Sequence, residues 1–144
     1  MRKNIHNIKI GNVKIKLTKD SKVFEPNLTT FSLIEAFENF KIKKKIKILD
    51  LGSGSGIIGI FLKKKFGKKI ELYLSDYSKH AVKIINSNLK INKVTGIVKE
   101  SNILKEWSNE KFDLIINDIS AISSFVAKNY WYNKFIPHDC GKDG

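Results

Sequence analysis

The feature that most constrains this chain is a turn with three alternating glycines, which follows a short apolar segment. Residues 46–51 read Ile-Lys-Ile-Leu-Asp-Leu, and residues 52–56 continue as Gly-Ser-Gly-Ser-Gly. A short apolar run bounded by glycine is typical of a buried strand, and the residues from Ile57 onward predict a helix directly after it. Glycine lets the backbone turn sharply and approach a ligand, because no Cβ is in the way. The segment therefore predicts a strand–turn–helix unit that binds a ligand.

Strand and helix patterns alternate after this turn. The predicted order is strand 46–51, helix 57–65, strand 70–74, helix 78–92, strand 96–99 and strand 112–117. This alternation with apolar strands favours an α/β fold, in which a parallel sheet is flanked by helices and ligands bind beyond the carboxyl ends of the strands. We divide the chain into an N-terminal hairpin and helix over residues 1–44 and a ligand-binding domain over residues 45–144.

The N-terminal part has two recognisable patterns. Residues 8–17 alternate apolar side chains with lysine around Gly11-Asn12, which predicts a β-hairpin with one solvated face. Ser32 and Glu35 have the spacing of a capping box, and apolar residues follow at helical spacing as far as Phe40. We therefore expect a helix that begins at Ser32.

Composition sets limits but does not assign a function. A chain of 144 residues with 42% apolar residues is large enough for one domain with a core. The net charge of +13 suits a polyanion such as RNA, but nearly all of the basic residues are lysine, which AT-rich coding also produces. Both interpretations stay open. The absence of a long apolar run and the single Cys140 predict a cytoplasmic protein outside the membrane.

Two nucleotide ligands are compatible with the glycine turn. Residues 54–59 satisfy the Gly-x-Gly-x-x-Gly pattern of NAD-binding proteins, and Asp76 follows near the distance expected for a ribose-binding carboxylate. Asp50, however, would repel a pyrophosphate at the N-terminus of the helix. S-Adenosyl-L-methionine carries an ammonium, a sulfonium and no phosphate. The residues therefore favour this cofactor, and an NAD-dependent oxidoreductase is the less favoured alternative.

Residues 48–56 resemble motif I of the class I S-adenosylmethionine-dependent methyltransferases. The resemblance implies a Rossmann-like fold and S-adenosyl-L-methionine as the cofactor. It also implies a role for each matching residue. The residues that would hold the methionine part are Asp50, Gly52, Ser53, Gly54 and Gly56, the ribose would be held by Asp76, and the adenine by Tyr77 and Asn102. In the family motif, an Asp that meets the adenine amino group stands where this chain has Asn102.

Residues 112–120 resemble motif IV of methyltransferases that act on nitrogen, in which Asn is followed by Pro-Pro-Tyr. The resemblance implies that Asn117 orients the acceptor nitrogen. Asp118, Ile119 and Ser120 replace the two prolines and the tyrosine, which removes the aromatic ring that encloses a planar target. We interpret Asp118 either as a catalytic group that accepts a proton from the substrate or holds a cationic amine, or as a solvated loop carboxylate.

Two further segments resemble one branch of this family. Residues 23–30 resemble a segment that closes over the cofactor in release-factor glutamine methyltransferases and small-domain ribosomal RNA guanine methyltransferases, and residues 137–144 resemble a run in the glutamine enzymes. The resemblance implies a protein or RNA substrate from the translation apparatus. The alternative is a non-catalytic module that binds RNA or a protein partner.

The family has seven strands, and the sequence stops at Gly144, just where the next helix and strand would begin. We therefore expect the C-terminal strands of the family to be absent. The last predicted strand would then lie at an open edge of the sheet, which natural proteins usually cover. We expect a truncated chain, or a dimer or partner that covers this edge.

The remaining candidate residues predict little chemistry. His6, His80 and His138 have no partners at metal-ligand spacing, so no metal site is predicted. Trp107 and the aromatic residues over 130–135 are able to stack on nucleic-acid bases, but we expect them to pack against the sheet.

Overall fold

The computed structural model describes residues 5–119. Its strands are β1 (Ile5–Ile10), β2 (Val13–Thr18), β3 (Ile46–Leu51), β4 (Ile70–Asp76), β5 (Ile97–Glu100) and β6 (Leu114–Asn117). Its helices are α1 (Leu28–Ala36), α2 (Ile57–Phe66) and α3 (Lys79–Asn92), with short 3-10 turns at Gly67–Lys69 and Lys105–Trp107. The predicted alternation is confirmed, with shifts of one or two residues at the element ends. Within residues 5–119, no helix has the length and apolar content needed to cross a bilayer.

The four later strands form one parallel sheet in the order β5-β4-β3-β6. Leu51 at the end of β3 lies opposite Ser75 of β4 and Asn117 of β6, so these strands end at the same edge. The chain leaves β3 towards β4 and β5 and then returns to the other side of β3. Such a reversal creates a crevice at the carboxyl ends of the strands, where ligands bind in sheets of this kind. The Rossmann-like prediction is confirmed.

The two faces of this sheet have different cores. Ile48 and Leu74 belong to a large cluster that α2, α3 and the hairpin cover. Tyr73 points to the other face, where it meets the edge of the Trp107 ring at a centroid distance of 5.7 Å. Trp107 is therefore packed, as expected. The aromatic residues over 130–135 lie outside the described residues, and a partner at the β6 edge stays a prediction.

The N-terminal hairpin has the predicted form. Ile10 of β1 lies opposite Val13 of β2, and the turn between them is Gly11-Asn12. Alternate side chains of β2, Ile15 and Leu17, are buried in the large core cluster. The hairpin is thus packed on the domain, and the division at residue 44 stays a prediction.

Helix α1 begins earlier than the sequence suggested. Its N-cap is Asn27, whose Oδ1 accepts the N–H of Thr30 at 3.1 Å, while Thr30 Oγ1 accepts the N–H of Asn27 at 3.3 Å. The predicted start at Ser32 is wrong. The Ser-x-x-Glu spacing also fits the interior of a helix, and Asn is as good a cap as Ser. The earlier start places Thr30 in the first turn of α1.

Candidate functional site

A cavity of about 800 Å³ opens at the carboxyl ends of the strands. Its walls come from the turn after β3, the ends of β4 and β6, the loop after β5, and the segment that leads into α1. Nine of the ten predicted site residues line it: Asp50, Gly52, Ser53, Gly54, Asp76, Tyr77, Asn102, Asn117 and Asp118. Gly56, the tenth, is the N-cap of α2. The structure therefore brings together residues that are far apart in the sequence.

The glycine turn has the backbone conformation that its composition requires. Gly52, Gly54 and Gly56 have φ values of +67°, +53° and +77°, which other residues adopt only at a cost. Ser53 fixes the turn against the sheet, because its N–H donates to Ser75 O at 2.9 Å and its hydroxyl donates to Asp50 O at 2.6 Å. The turn is a rigid floor for the cavity.

Asp50 lies beneath this floor and is 1% exposed. Its Oδ2 accepts the N–H of Gly59, in the first turn of α2, at 2.9 Å. Burial raises the pKa of Asp50 to about 7, and the negative charges of Asp118 and Asp76 act in the same direction. The Asp50 carboxylate therefore already accepts a backbone N–H of the helix N-terminus, the kind of group that binds a phosphate in other proteins.

Gly59 completes the Gly-x-Gly-x-x-Gly pattern, and packing explains why it is glycine. A Cβ at this position would lie 2.8 Å from Leu74 Cδ2 and 3.1 Å from Asp50 Oδ2. Helix α2 thus approaches strand β4 closely and needs a residue without a side chain there. The third glycine of the pattern is required by the protein interior, so it does not indicate a dinucleotide.

Asp76 ends β4 and joins the turn to α3. Its Oδ2 accepts the N–H of Gly54 at 2.9 Å, and its Oδ1 accepts the N–H of Ser78, the N-cap of α3, at 2.9 Å. Each carboxylate oxygen keeps the capacity to accept one more hydrogen bond. The half-buried carboxylate is therefore held in place and still able to bind hydroxyl groups of a ligand.

Exposed apolar and amide side chains form the side of the cavity near β5. Tyr77 is 77% exposed and Asn102 is also exposed. Ile103 was not predicted; it is 62% exposed and has a φ of +51°, which is a strained backbone for a β-branched residue. Ser101 supports this loop, since its hydroxyl donates to Ile103 O at 2.8 Å. No local sequence signal marks a left-handed isoleucine.

The end of β6 forms the opposite side of the cavity. Asn117 Oδ1 accepts the N–H of Ile119 at 3.0 Å, and Asp118 Oδ2 accepts the hydroxyl proton of Thr30 at 2.6 Å. Asp118 is half-buried in the loop after β6 and lines the cavity, and its catalytic role stays a prediction beside the solvated loop carboxylate. Thr30 was missed, and the Asn27-x-x-Thr30 cap was the signal that would have placed it there. Ser120 lies outside the described residues.

The cavity carries a local negative charge in a strongly basic chain. Among the described residues that line it, the ionisable carboxyl groups are Asp50, Asp76 and Asp118, and Lys22 is the only lysine. Opposite charges attract strongly in such a partly enclosed site, and like charges repel. The arrangement fits a cationic ligand and disfavours a diphosphate.

Comparison with known proteins places the chain in a family. Residues 16–118 match the family described as "Methyltransferase small domain". The release factor glutamine methyltransferase of Flavobacterium psychrophilum is 33% identical over 120 residues, which are 78% of this chain and 42% of that protein. The ribosomal RNA small subunit methyltransferase C of Haemophilus ducreyi is 39% identical over 71 residues, which are 49% of this chain and 21% of that protein.

A solved structure supports the fold. The 16S rRNA N2 G1207 methyltransferase of T. thermophilus, in complex with AdoMet and guanosine, matches with a TM-score of 0.69 and 18% identity, over 85% of this chain and 36% of that one. The chain thus spans less than half the length of these curated relatives. The family match covers most of the chain, and the chain belongs to the methyltransferase small domain family.

Proposed function

We propose that this chain is the cofactor-binding domain of a methyltransferase that transfers a methyl group from S-adenosylmethionine to a nitrogen atom. The observation that carries the proposal is the acidic cavity above the glycine turn. Three carboxylates line this cavity, so the phosphates of a phosphate-bearing cofactor would lie close to negative charges there. S-Adenosylmethionine supplies a methyl group on a positively charged sulfur, together with an ammonium group, so its charge complements the cavity.

The chain's residues fit the parts of this cofactor. We propose that the turn from Gly52 to Gly56 holds the methionine part and that Asp50 balances the ammonium charge from below. The free lone pairs of Asp76 would accept hydrogen bonds from the ribose hydroxyls, which are charge-assisted and hence strong. Tyr77 and Asn102 would contact the adenine.

The methyl acceptor would enter beside the end of β6. Methyl transfer depends mainly on positioning the acceptor nitrogen and on the electrostatics of the site. We propose that the Asn117 side-chain oxygen, which keeps one lone pair besides its bond to Ile119, accepts an N–H of the acceptor. Asp118 would add a second acceptor, and its bond to Thr30 holds it towards the cavity.

The relatives support a substrate from the translation apparatus. They are named as methyltransferases of a release factor glutamine and of ribosomal RNA, and both substrates offer an amide or amino nitrogen. Val23, Phe24 and Pro26 line the cavity, which agrees with a segment that closes over the cofactor. We therefore propose a protein or RNA component of translation as the acceptor and the cytoplasm as the place of action.

A transfer assay tests this function. The chain is incubated with S-adenosylmethionine that carries a labelled methyl group, and with ribosomal subunits, ribosomal RNA or release factors in separate reactions. We expect label in one of these acceptors, a large loss of transfer in Asn117→Ala, and unchanged transfer in Glu35→Gln, which removes an exposed carboxylate outside the cavity. If S-adenosylhomocysteine binds but no acceptor is labelled, the catalytic proposal is refuted and the non-catalytic module is favoured.

A further inference from the structure

A second cavity, of about 510 Å³, is lined by five lysines, and we call it the lysine groove. These are Lys9, Lys14, Lys16, Lys64 and Lys93. It lies at the other end of α3 from the acidic cavity. Ala81 of this helix lines the acidic cavity, whereas Ile91 lines the lysine groove. At 1.5 Å per residue, these two positions are about 15 Å apart along the helix axis.

The hairpin contributes three of these lysines from its exposed face. Lys9 lies directly opposite Lys14 across the two strands, and Lys16 is exposed on the same face of β2. Like charges directly opposite each other destabilise an antiparallel pair. The pairing of Lys9 with Lys14 therefore does not stabilise the hairpin.

The helices bring two more positive charges to the same groove. Lys64 of α2 donates from its Nζ to Lys14 O at 2.6 Å. Burial lowers the pKa of Lys64, and the positive charge of Lys16 lowers it further. No Asp or Glu is among the groove-lining residues in the described part of the chain. Five lysines thus share a groove in which no described lining residue is acidic.

The helix dipole explains only part of this charge. Lys64 and Lys93 lie at the C-terminal ends of α2 and α3, where a positive side chain is stabilising. The three hairpin lysines receive no such benefit. An anionic partner would remove the repulsion between them.

We propose that the lysine groove binds the phosphate backbone of an RNA. Lysine is a point charge without the planar fork of arginine, so it suits contacts to phosphates, which position an RNA without carrying sequence information. A concave groove admits a protruding strand of phosphates, whereas a flat lipid surface would reach only its rim. The groove is a docking surface, separate from the acidic cavity, and it needs no cofactor.

Fluorescence anisotropy with a labelled RNA hairpin of unrelated sequence tests this proposal over a range of salt concentrations. The groove variant is Lys9→Gln, Lys16→Gln and Lys64→Gln. Its matched control is Lys83→Gln, Lys105→Gln and Lys111→Gln, which removes the same charge from exposed lysines elsewhere. The logarithm of the affinity falls as the logarithm of the salt concentration rises, and each lost phosphate contact makes this slope less steep by roughly 0.7–0.9. We expect the slope of the groove variant to be less steep by about two, and that of the control by less than one.

A second variant separates binding from folding. Lys9→Glu places an opposite charge across from Lys14, so we expect a higher melting temperature together with weaker RNA binding. Equal losses of RNA affinity in the groove variant and its control would overturn the proposal. RNA binding would then depend on the total charge of the chain and not on the groove. Binding to vesicles of anionic lipid or to a polyglutamate peptide, but not to RNA, would also overturn it. Titration with S-adenosylhomocysteine tests the methyltransferase proposal independently, because the groove variants should leave that affinity unchanged.

Discussion

Cofactor binding should depend on pH through Asp50. This carboxyl group is buried, and its pKa is raised to about 7, so it is mostly protonated below neutral pH in the free protein. An ammonium close to a carboxylate lowers its pKa by roughly 1–3 units. Binding of S-adenosylhomocysteine, which carries an ammonium, should therefore drive a proton off Asp50.

The size of the effect follows from the two protonation equilibria. For a drop of about two units on binding, the affinity rises about tenfold between pH 5.5 and pH 7.0, which is about 1.4 kcal/mol. At pH 6, the free protein holds about 0.9 proton on this group and the complex about 0.1, so binding releases about 0.8 proton. Because the ligand lowers the pKa of Asp50, protonation opposes binding, and the affinity falls as the pH falls.

Isothermal titration calorimetry in buffers of different ionisation enthalpy measures both quantities. In Asp50→Asn the side chain cannot ionise, so we expect no proton release and an affinity that changes little between pH 5.5 and 7.0. Glu35→Gln should behave like the unmodified chain. If the unmodified chain releases no proton at pH 6 and binds with the same affinity across this range, Asp50 does not lose a proton on binding.

Three further substitutions test the cofactor site and the packing that supports it. Asp76→Ala should weaken S-adenosylhomocysteine binding by about 1.5–3 kcal/mol, the value of a hydrogen bond to a charged group, as measured by calorimetry. Gly52→Ala should destabilise the fold by about 1–2 kcal/mol in urea unfolding, because the backbone is left-handed and the new methyl group meets Ile119. Asn88→Ala should lower the free energy of unfolding by about 2–6 kcal/mol, because it leaves the buried Ser55 O and Thr18 N–H unpaired. Its control, Asn86→Ala on the exposed side of α3, should lower it by less than about 0.5 kcal/mol.

Each of these has a contradicting result. Unchanged affinity in the Asp76 variant would show that the ribose is held elsewhere. A stable Gly52 variant would mean that the turn is not constrained by its left-handed conformation. Asn88 donates to Ser55 O at 2.9 Å and accepts the N–H of Thr18 at 2.8 Å, so equal effects in the two asparagine variants would show that these bonds contribute nothing.

Local signals predicted much of this fold from the sequence. The strand before the glycine turn, the turn itself and the hairpin at Gly11-Asn12 each depend on residues that are neighbours in the chain. The same holds for the end of α2 before Gly67. The start of α1 was predicted wrongly at Ser32, because a Ser-x-x-Glu spacing fits both a helix start and a helix interior, and the cap is Asn27.

Long-range contacts were beyond the sequence. The bond between Thr30 and Asp118 joins residues 88 positions apart, and nothing near either residue indicates it. The burial of Asp50, which raises its pKa, depends on how closely α2 approaches β4 at Gly59. The sequence thus predicted nine of the residues that line the cavity but missed Thr30 and Ile103, and packing determines the protonation and the orientation of the carboxylates.

We propose that the acidic cavity above the glycine turn selects a positively charged methyl donor and rejects a diphosphate. Calorimetric titration of the chain at pH 7.5 with S-adenosylmethionine, and separately with NAD, tests it most directly. We predict saturable one-to-one binding of S-adenosylmethionine and no heat of binding for NAD at the same concentrations. Saturable binding of NAD, with none of S-adenosylmethionine, would show that the cavity is a dinucleotide site.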